Sequence, residues 1–322
     1  MPTTIRQIDP EALEQAASIL REDGLVAFPT ETVYGLGANA LSPTAVQRIF
    51  NAKGRPATNP LIVHVATIEQ AQELVTEWPE EAEVLARRFW PGPLTIVLPR
   101  HEIVPDLVTA NGPTVGIRIP SHPTALALLE KVEMPIAAPS ANRSNQLSPT
   151  TAQHVLNGLS DRVSLILDGG PCKVGVESTV LSLNPLQLLR PGGVTPLEIE
   201  AVLGPIQRQS EESDEPKKSP GLMSRHYSPH TPLMLSKESN RLVNSLLNQG
   251  KSVGWLTFLK PTLRPDLLVA YLPHDPIELA AALYETLHLM DESDLDVIVV
   301  DAPPEGDEWL AIRDRLQRAS ST

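Results

Sequence analysis

The chain has 322 residues, 41% hydrophobic, 20% charged and only 4% aromatic, with 32 prolines, one cysteine and a formal charge of -13. That length suits about two domains, each able to bury a core unaided, and Cys172 alone excludes a disulfide scaffold and fits a reducing compartment. Lys and Arg against Asp and Glu number 14 and 21 over residues 1–204, 4 and 4 over 205–232, and 8 and 14 over 233–322, which excludes a broad basic footprint for nucleic acid or anionic lipid.

The N-terminus MPTTIRQIDP lacks the basic and apolar regions of a secretory signal, and no apolar run reaches the length of a membrane span. A soluble cytoplasmic protein is expected. Asp9 caps a first helix that opens on Pro10, carries Leu13, Ala16, Ala17 and Leu20 on one face and stops at Gly24. A short buried strand over 25–28 follows, then the loop PTETVYGLGANA, a helix over 43–51 and a strand over 61–65. Helical patterns cover 68–76 and 80–89, and further strands 95–100, 114–120, 135–142, 164–170, 178–183 and 186–192, with helices at about 123–131 and 149–157 between them. This mixture predicts an α/β domain with a large twisted sheet.

Periodicity stops near residue 205. QRQSEESDEPKKSPGLMSRHYSPHTP is polar, charged and proline-rich, the signature of a linker over 205–232. Beyond it, a strand at 233–235, a helix near 237–249, strands in SVGWLTF and LLVAYLP, a helix near 276–290, the strand DVIVVDAP and a last helix make a small second α/β unit without a glycine-rich phosphate turn. The expected domains are 1–204, a linker 205–232 and 233–322.

Common nucleotide and hydrolase signatures are absent: there is no G-x-x-x-x-G-K-[ST], G-x-S-x-G or H-E-x-x-H, and the stretch from Gly35 to Ala40 has two of the three glycines of a dinucleotide loop. His226 and His230 are four apart, but Pro229 between them argues against a helical metal pair. Polar residues at strand ends and turns stand out instead. Lys53, Arg55 and Asn59 lie in NAKGRPATNPL ahead of the strand bearing His64. Two cations in a rigid turn suit a polyphosphate, and equally a solvated helix C-terminus whose dipole favours cations. Arg118 interrupts the apolar strand TVGIRIP, so it meets solvent, a carboxylate or a ligand. Ser140, Asn142, Ser144 and Ser148 in PSANRSNQLSPT either cap a helix near Pro149 or line an anion site at its N-terminus.

Taken in order, FPTETVYGLGANA, KGRPATNPLIVHV, WPGPLTIVL, TVGIRIP, AAPSANRSNQLSPT, GVESTV and LLRPGG resemble the YrdC-type threonylcarbamoyl-AMP synthase family over about residues 10–205. SPGLMSRHYSPHTPL resembles the linker of its long, two-domain members. The resemblance implies a YrdC-like large twisted mixed sheet with flanking helices and a small C-terminal Rossmann-like domain. It also implies a reaction in which L-threonine, bicarbonate or CO2, and ATP give threonylcarbamoyl-AMP and pyrophosphate, the first step of N6-threonylcarbamoyladenosine formation in tRNA. A separate transferase complex would consume the product.

Carried over position by position, the resemblance puts threonine on Thr32, His64, Arg118, the backbone near Ala138, and Ser178. It puts ATP on Lys53, Arg55, Asn59, Thr114, Ser140, Asn142, Ser148 and Arg190, with Tyr227 of the linker closing over it. Lys53, Arg55 and Arg118 are the expected catalytic residues, acting by charge and position. Mg2+ is expected with ATP through its phosphates, with no protein side chain as a certain ligand and no organic cofactor. Residues 215–232 are expected to act as a lid, with Arg225, His226 and Tyr227 as its polar groups. Asn145-Gln146 departs from the family, where many relatives carry glycine after the serine. Two other readings predict different residues: a carbamoyl-adenylating hydrogenase-maturation enzyme needs zinc-finger cysteines, and an RNA-binding module needs basic and aromatic stripes. The proline excess falls beside these positions, at Pro29, Pro56, Pro60, Pro113, Pro120, Pro139, Pro149 and Pro191, where a fixed φ lowers the entropy a loop loses in holding a ligand.

Overall fold

The computed structural model describes residues 3–208, 227–261 and 264–320. They fall into two units, one formed by 3–144 and 148–208 and the other by 145–147 and 227–320. The first unit runs β1 (Thr4–Gln7), α1 (Pro10–Arg21), β2 (Val26–Phe28), β3 (Gly35–Asn39), α2 (Pro43–Lys53), β4 (Ile62–His64), α3 (Ile68–Glu73), α4 (Glu80–Phe89) and β5 (Leu94–Pro99). It continues with α5 (Asp106–Thr109), β6 (Thr114–Arg118), α6 (Pro123–Val132), β7 (Ile136–Ala137), α7 (Ala152–Leu159), β8 (Leu165–Asp168), β9 (Thr179–Leu183), β10 (Leu186–Arg190), α8 (Pro196–Leu203) and β11 (Gln207–Arg208).

These strands form one mixed sheet in the order β1-β8-β2-β3-β7-β4-β6-β5-β9-β10-β11. β4 and β6 run parallel with His64 opposite Arg118, β5 is antiparallel to β6 and parallel to β9, and β9 and β10 form an antiparallel pair. The first helix forms as its sequence predicts: the Asp9 carboxylate accepts the Ala12 amide at 2.7 Å and Pro10 opens the first turn. Ala12, Ala16, Ala17 and Leu20 are buried, and Leu13 lies half-buried beside them. They pack with Val26 and Phe28 of β2, Leu128 and Leu129 of α6, and Leu165 and Leu167 of β8. Truncating Leu20 to Ala in this core costs about 2–5 kcal/mol.

The structure departs from the sequence expectation where local pattern is overridden. β3 lies inside the stretch expected as a loop, because GLGAN shows no apolar alternation. Its glycines are packing glycines: a Cβ on Gly37 would lie 2.8 Å from Phe28 Cε1. The strand expected over 135–142 shortens to Ile136–Ala137, since its continuation bonds across to other segments, with the Leu36 amide on Pro139 O and the Ala141 amide on Tyr34 O. Thr151, not Ser148, caps α7. β1, α5 and α8 carry too few residues or too little contrast to announce themselves, and β11 adds to the sheet from residues expected to be linker.

The second unit contains β12 (Leu233–Ser236), α9 (Ser239–Asn248), β13 (Val253–Thr257), β14 (Leu267–Tyr271), α10 (Pro276–Asp291), β15 (Val297–Asp301) and, after a 3-10 turn, α11 (Leu310–Ser320). Its strands pair in parallel in the order β12-β15-β13-β14. β13 and β15 are buried throughout, as a parallel sheet covered on both faces requires. At the end of β15, the buried Asp301 carboxylate accepts from Trp255 Nε1 (2.8 Å), Thr257 Oγ1 (2.7 Å) and the Phe258 amide (2.9 Å). Tyr227 also belongs to this unit: it is buried at φ 59°, with the Arg315 guanidinium 4.9 Å from its ring centroid and the Tyr284 ring at 6.1 Å. Most of the expected lid, including Arg225 and His226, lies outside the described residues. No helix among the described residues is long and apolar enough to cross a membrane.

Candidate active site

Charged side chains are rarely buried unless paired or serving a ligand, so their addresses are informative. Among the described residues of the first unit the buried ones are Glu31, Lys53, Arg55, Arg118, Glu177 and Arg190, four cations against two carboxylates. All six sit in the segments singled out by sequence.

Lys53 is the last residue of α2, which ends because Gly54 takes the left-handed conformation at φ 62°. Its ammonium donates to Ser140 O (2.5 Å), Asn142 O (2.5 Å) and Asn142 Oδ1 (3.3 Å), and its own carbonyl accepts the Ser144 amide at 2.9 Å. All three donors thus hold the 140–144 loop against the end of α2. Burial, and then the neighbouring Arg55 charge, push its pKa well below the ordinary lysine value, while Glu177 opposes them. Arg55 donates to Pro60 O at 3.0 Å, and Asn59 is buried in the same turn with its amide on Pro56 O at 3.2 Å.

Arg118 closes β6 and is buried. Its Nε donates to Gly92 O (3.1 Å) and its Nη1 to Thr32 Oγ1 (3.0 Å), and its Nη2 lies 2.6 Å from Glu31 Oε1. The other Glu31 oxygen accepts the Ser121 amide at 3.0 Å, and Thr32 Oγ1 shares a 2.8 Å hydrogen bond with Thr30 Oγ1. His64, the register partner of Arg118 on β4, is buried with Nδ1 lacking a hydrogen-bond partner and Phe28 edge-on to its ring. Burial and then the Arg118 charge pull its pKa down to about 3, so the imidazole is neutral at physiological pH.

A third group forms where β9 begins and β10 ends. Arg190 donates to Ser178 O through Nε (3.2 Å) and Nη2 (2.9 Å), and to Ser178 Oγ (3.2 Å). The Ser178 hydroxyl also meets Thr95 Oγ1 at 2.8 Å. Gly192 makes this approach possible: a Cβ there would lie 2.3 Å from both Glu177 O and Thr179 N. The Ser148 hydroxyl donates to Glu177 Oε1 at 2.5 Å.

Of the expected residues, Lys53, Ser140 and Asn142 are thus brought together, as are Thr32 with Arg118 and His64, and Ser178 with Arg190. Ala138 is buried with its amide donating to Ile62 O at 3.0 Å. Thr114 is half-buried at the start of β6. Tyr227 is placed in the second unit with Arg315 and Tyr284. Sequence reasoning missed Glu31, Glu177 and Thr95. The two glutamates had one available signal: each stands in a short turn beside a residue already singled out, Thr32 or Ser178. No nucleophile is prepared here. Burial pushes the Cys172 thiol up to about 12, and Ser178 faces a threonine and an arginine, not a base. Among the described residues no group of three or more His, Cys, Asp or Glu side chains is placed to hold a metal.

Known proteins resemble this chain along nearly its whole length. The Sua5_yciO_yrdC family model, described as telomere recombination, matches residues 18–192, and the Sua5_C model, described as threonylcarbamoyl-AMP synthase C-terminal domain, matches residues 194–321. The threonylcarbamoyl-AMP synthase of Pyrococcus abyssi is 45% identical over 98% of this chain and 95% of its own length, and that of Bacillus subtilis is 46% identical over 97% and 93%. The crystal structure of P. abyssi Sua5 complexed with L-threonine superposes with a TM-score of 0.92 at 45% identity, covering 99% of this chain and 98% of that one.

Proposed function

The chain belongs to the threonylcarbamoyl-AMP synthase family, and on that premise we propose how its buried charges join L-threonine, bicarbonate or CO2, and ATP into threonylcarbamoyl-AMP and pyrophosphate. The observation that carries the reading is the excess of buried cations, four against two carboxylates, inside an otherwise acidic unit. Such an excess is costly unless a polyanion neutralises it.

Threonine binds through its carboxylate to Arg118, which has five N–H donors, spends two on Gly92 O and Thr32 Oγ1 and pairs with Glu31 by charge, leaving donors on both terminal nitrogens. Neutral His64 and Thr32 take the substrate hydroxyl, and the Ala138 carbonyl and Ser178 complete the threonine pocket. ATP lies along Arg55, Asn59, Thr114, Ser140, Asn142, Ser148 and Arg190. Lys53 acts on it mainly through its charge and through the 140–144 loop it holds. A part for Tyr227 in ATP binding is proposed on the family resemblance alone.

The threonine ammonium gives up a proton to solvent, and the free amine attacks the carbon of CO2 with loss of a second proton, or of bicarbonate with loss of water, to form an N-carboxylate. An oxygen of that group attacks the α-phosphate in line, and the α–β phosphoanhydride bond breaks to release pyrophosphate. The protein contributes position, a fixed positive field and exclusion of water. The four cations would accept a magnesium nucleotide without a protein ligand for the ion, and Mg2+ bound with ATP would share with Lys53, Arg55 and Arg190 the task of offsetting phosphate charge. A transferase that modifies the adenosine beside the tRNA anticodon consumes the product. Pyrophosphate release from ATP is expected to require both threonine and bicarbonate, and release that ignores threonine rejects the reading. Arg118→Ala is expected to raise the KM for threonine at least about tenfold, the loss of a charge-assisted hydrogen bond, and to leave that for ATP nearly unchanged; equal effects refute its assignment.

A further inference from the structure

Glu31 has no part in the reaction described so far, yet it is a carboxylate almost wholly removed from water beside the arginine assigned to threonine. Its side chain is 8% exposed and that of Arg118 is 4%. A buried ion pair is poor evidence of stabilisation, because desolvating two charges offsets their attraction, so its presence calls for a function. We propose that Glu31 is the residue that recognises the substrate's α-amino group, completing the reading of the carboxylate by Arg118. This rests on the assignment of threonine to Arg118.

Three observations lead there. First, Glu31 is fixed at both oxygens, by Arg118 Nη2 at 2.6 Å and by the Ser121 amide at 3.0 Å. A carboxylate oxygen accepts two hydrogen bonds, so each retains a lone pair. Second, Arg118 donates to Gly92 O and Thr32 Oγ1, while its Nη2, in ion-pair contact with Glu31, makes no aligned hydrogen bond, so both terminal nitrogens keep N–H donors. The pair therefore offers unused donors and unused acceptors at adjacent positions. Third, the other groups around it carry no charge: Thr30 and Thr32 are hydroxyls, and His64 is neutral with its Nδ1 unpartnered. A cation and an anion side by side among neutral groups match a zwitterion, whose ammonium and carboxylate are separated by a single carbon. Binding then introduces no net charge into a buried site, and each end of the substrate meets its opposite. After the nitrogen is carboxylated it still bears one hydrogen, which donates to the same carboxylate.

The alternative is that Glu31 only holds Arg118 in place. The two roles separate with a substrate that lacks the amine. Binding of L-threonine and of 3-hydroxybutanoate, its des-amino analogue, is measured by calorimetry for the full-length protein and for Glu31→Gln, which keeps the shape and the Ser121 acceptor but removes the charge. The wild type is expected to prefer threonine by about tenfold or more, the difference one charge-assisted hydrogen bond makes. Glu31→Gln is expected to lose that preference to within about threefold through weaker threonine binding, with ATP binding unchanged. Equal weakening of both ligands, or no change in either, overturns the proposal. If Glu31→Gln loses ATP binding and so its fold, Glu31→Asp decides the matter: the retracted carboxylate must lower threonine affinity severalfold and spare 3-hydroxybutanoate, and loss of both alike overturns it. Wild-type pyrophosphate release that does not depend on threonine would strike the reading of the reaction, a result distinct from any of these binding ratios.

Discussion

His64 has no charge to lend the site at neutral pH, and this gives the acid stability of the catalytic unit a specific signature. Its pKa falls to about 3 through burial and the Arg118 charge, whereas an unfolded histidine protonates near 6.5. Between these values the unfolded state binds the extra proton, so stability is full above about pH 6.5 and declines as pH falls toward 3. Lowering the pH from 7.5 to 5.5 should cost the wild type about 1.4 kcal/mol more than His64→Gln in urea unfolding. His154, held at about 4 by burial, contributes equally to both proteins and cancels. An identical loss in the two would mean that His64 is charged in the fold. The sequence made the cations of the site visible because Arg118 breaks an apolar strand and Lys53 and Arg55 crowd one proline-bounded turn. Their carboxylate partners were not visible, since Glu31 sits among threonines and Glu177 beside a serine, where an acidic residue looks solvated. Only long-range pairing, Glu31 to Arg118 and Ser148 to Glu177, reveals that they are inside.

At the scale of the element, what holds the site is a set of stiff loops whose prolines still supply acceptors. Pro60 O accepts Arg55, Pro139 O the Leu36 amide, Pro149 O the Tyr34 amide and Pro93 O the Thr179 amide. Proline removes a donor and fixes φ while leaving its carbonyl available, so each of these segments is both preorganised and tied to a neighbour. Glycine does the complementary work at residue 192, where any side chain would overlap the backbone of 177–179. Gly192→Ala should therefore displace Arg190 from Ser178, destabilise the unit by about 1–3 kcal/mol or more and weaken ATP binding. Gly158→Ala, in α7 with open space around its Cβ position, should be neutral or stabilise by up to about 1 kcal/mol. Thermal denaturation and nucleotide titration of the two variants check both. The same physics explains which elements were legible. α1, α4 and β6 carry period and punctuation in their own residues, and the structure places them within a residue or two of expectation at most ends. β3 owes its existence to Phe28 packing over Gly37, and β7 is cut short by bonds to residues about a hundred positions away. Ser148 lost its expected capping role because Glu177 claims its hydroxyl, information that no local window contains.

For the whole molecule, the relevant quantity is where charge of each sign resides. Residues 1–204 carry 14 cationic and 21 acidic side chains, and the buried set takes out four cations and two carboxylates, so the surface of this part is more acidic than its total. Residues 233–322 are acidic as well. At physiological ionic strength such a field decays over about 8 Å, so the proposed binding of a compact nucleotide at the cation cluster would act at short range, whereas a long polyanion must lie against acidic surface along its length. Nucleic-acid binding draws most of its strength from neutralised phosphates, and in this protein the cations are outnumbered by acidic side chains, 26 against 39. Although the product modifies a tRNA, the protein itself is expected to bind tRNA no more tightly than about 10 µM at 150 mM salt, within the range of non-specific association. Electrophoretic mobility or fluorescence anisotropy with total tRNA checks this. A dissociation constant below about 1 µM would demand a basic surface, and would shift the reading from an enzyme that releases a small activated molecule to one that acts on tRNA directly.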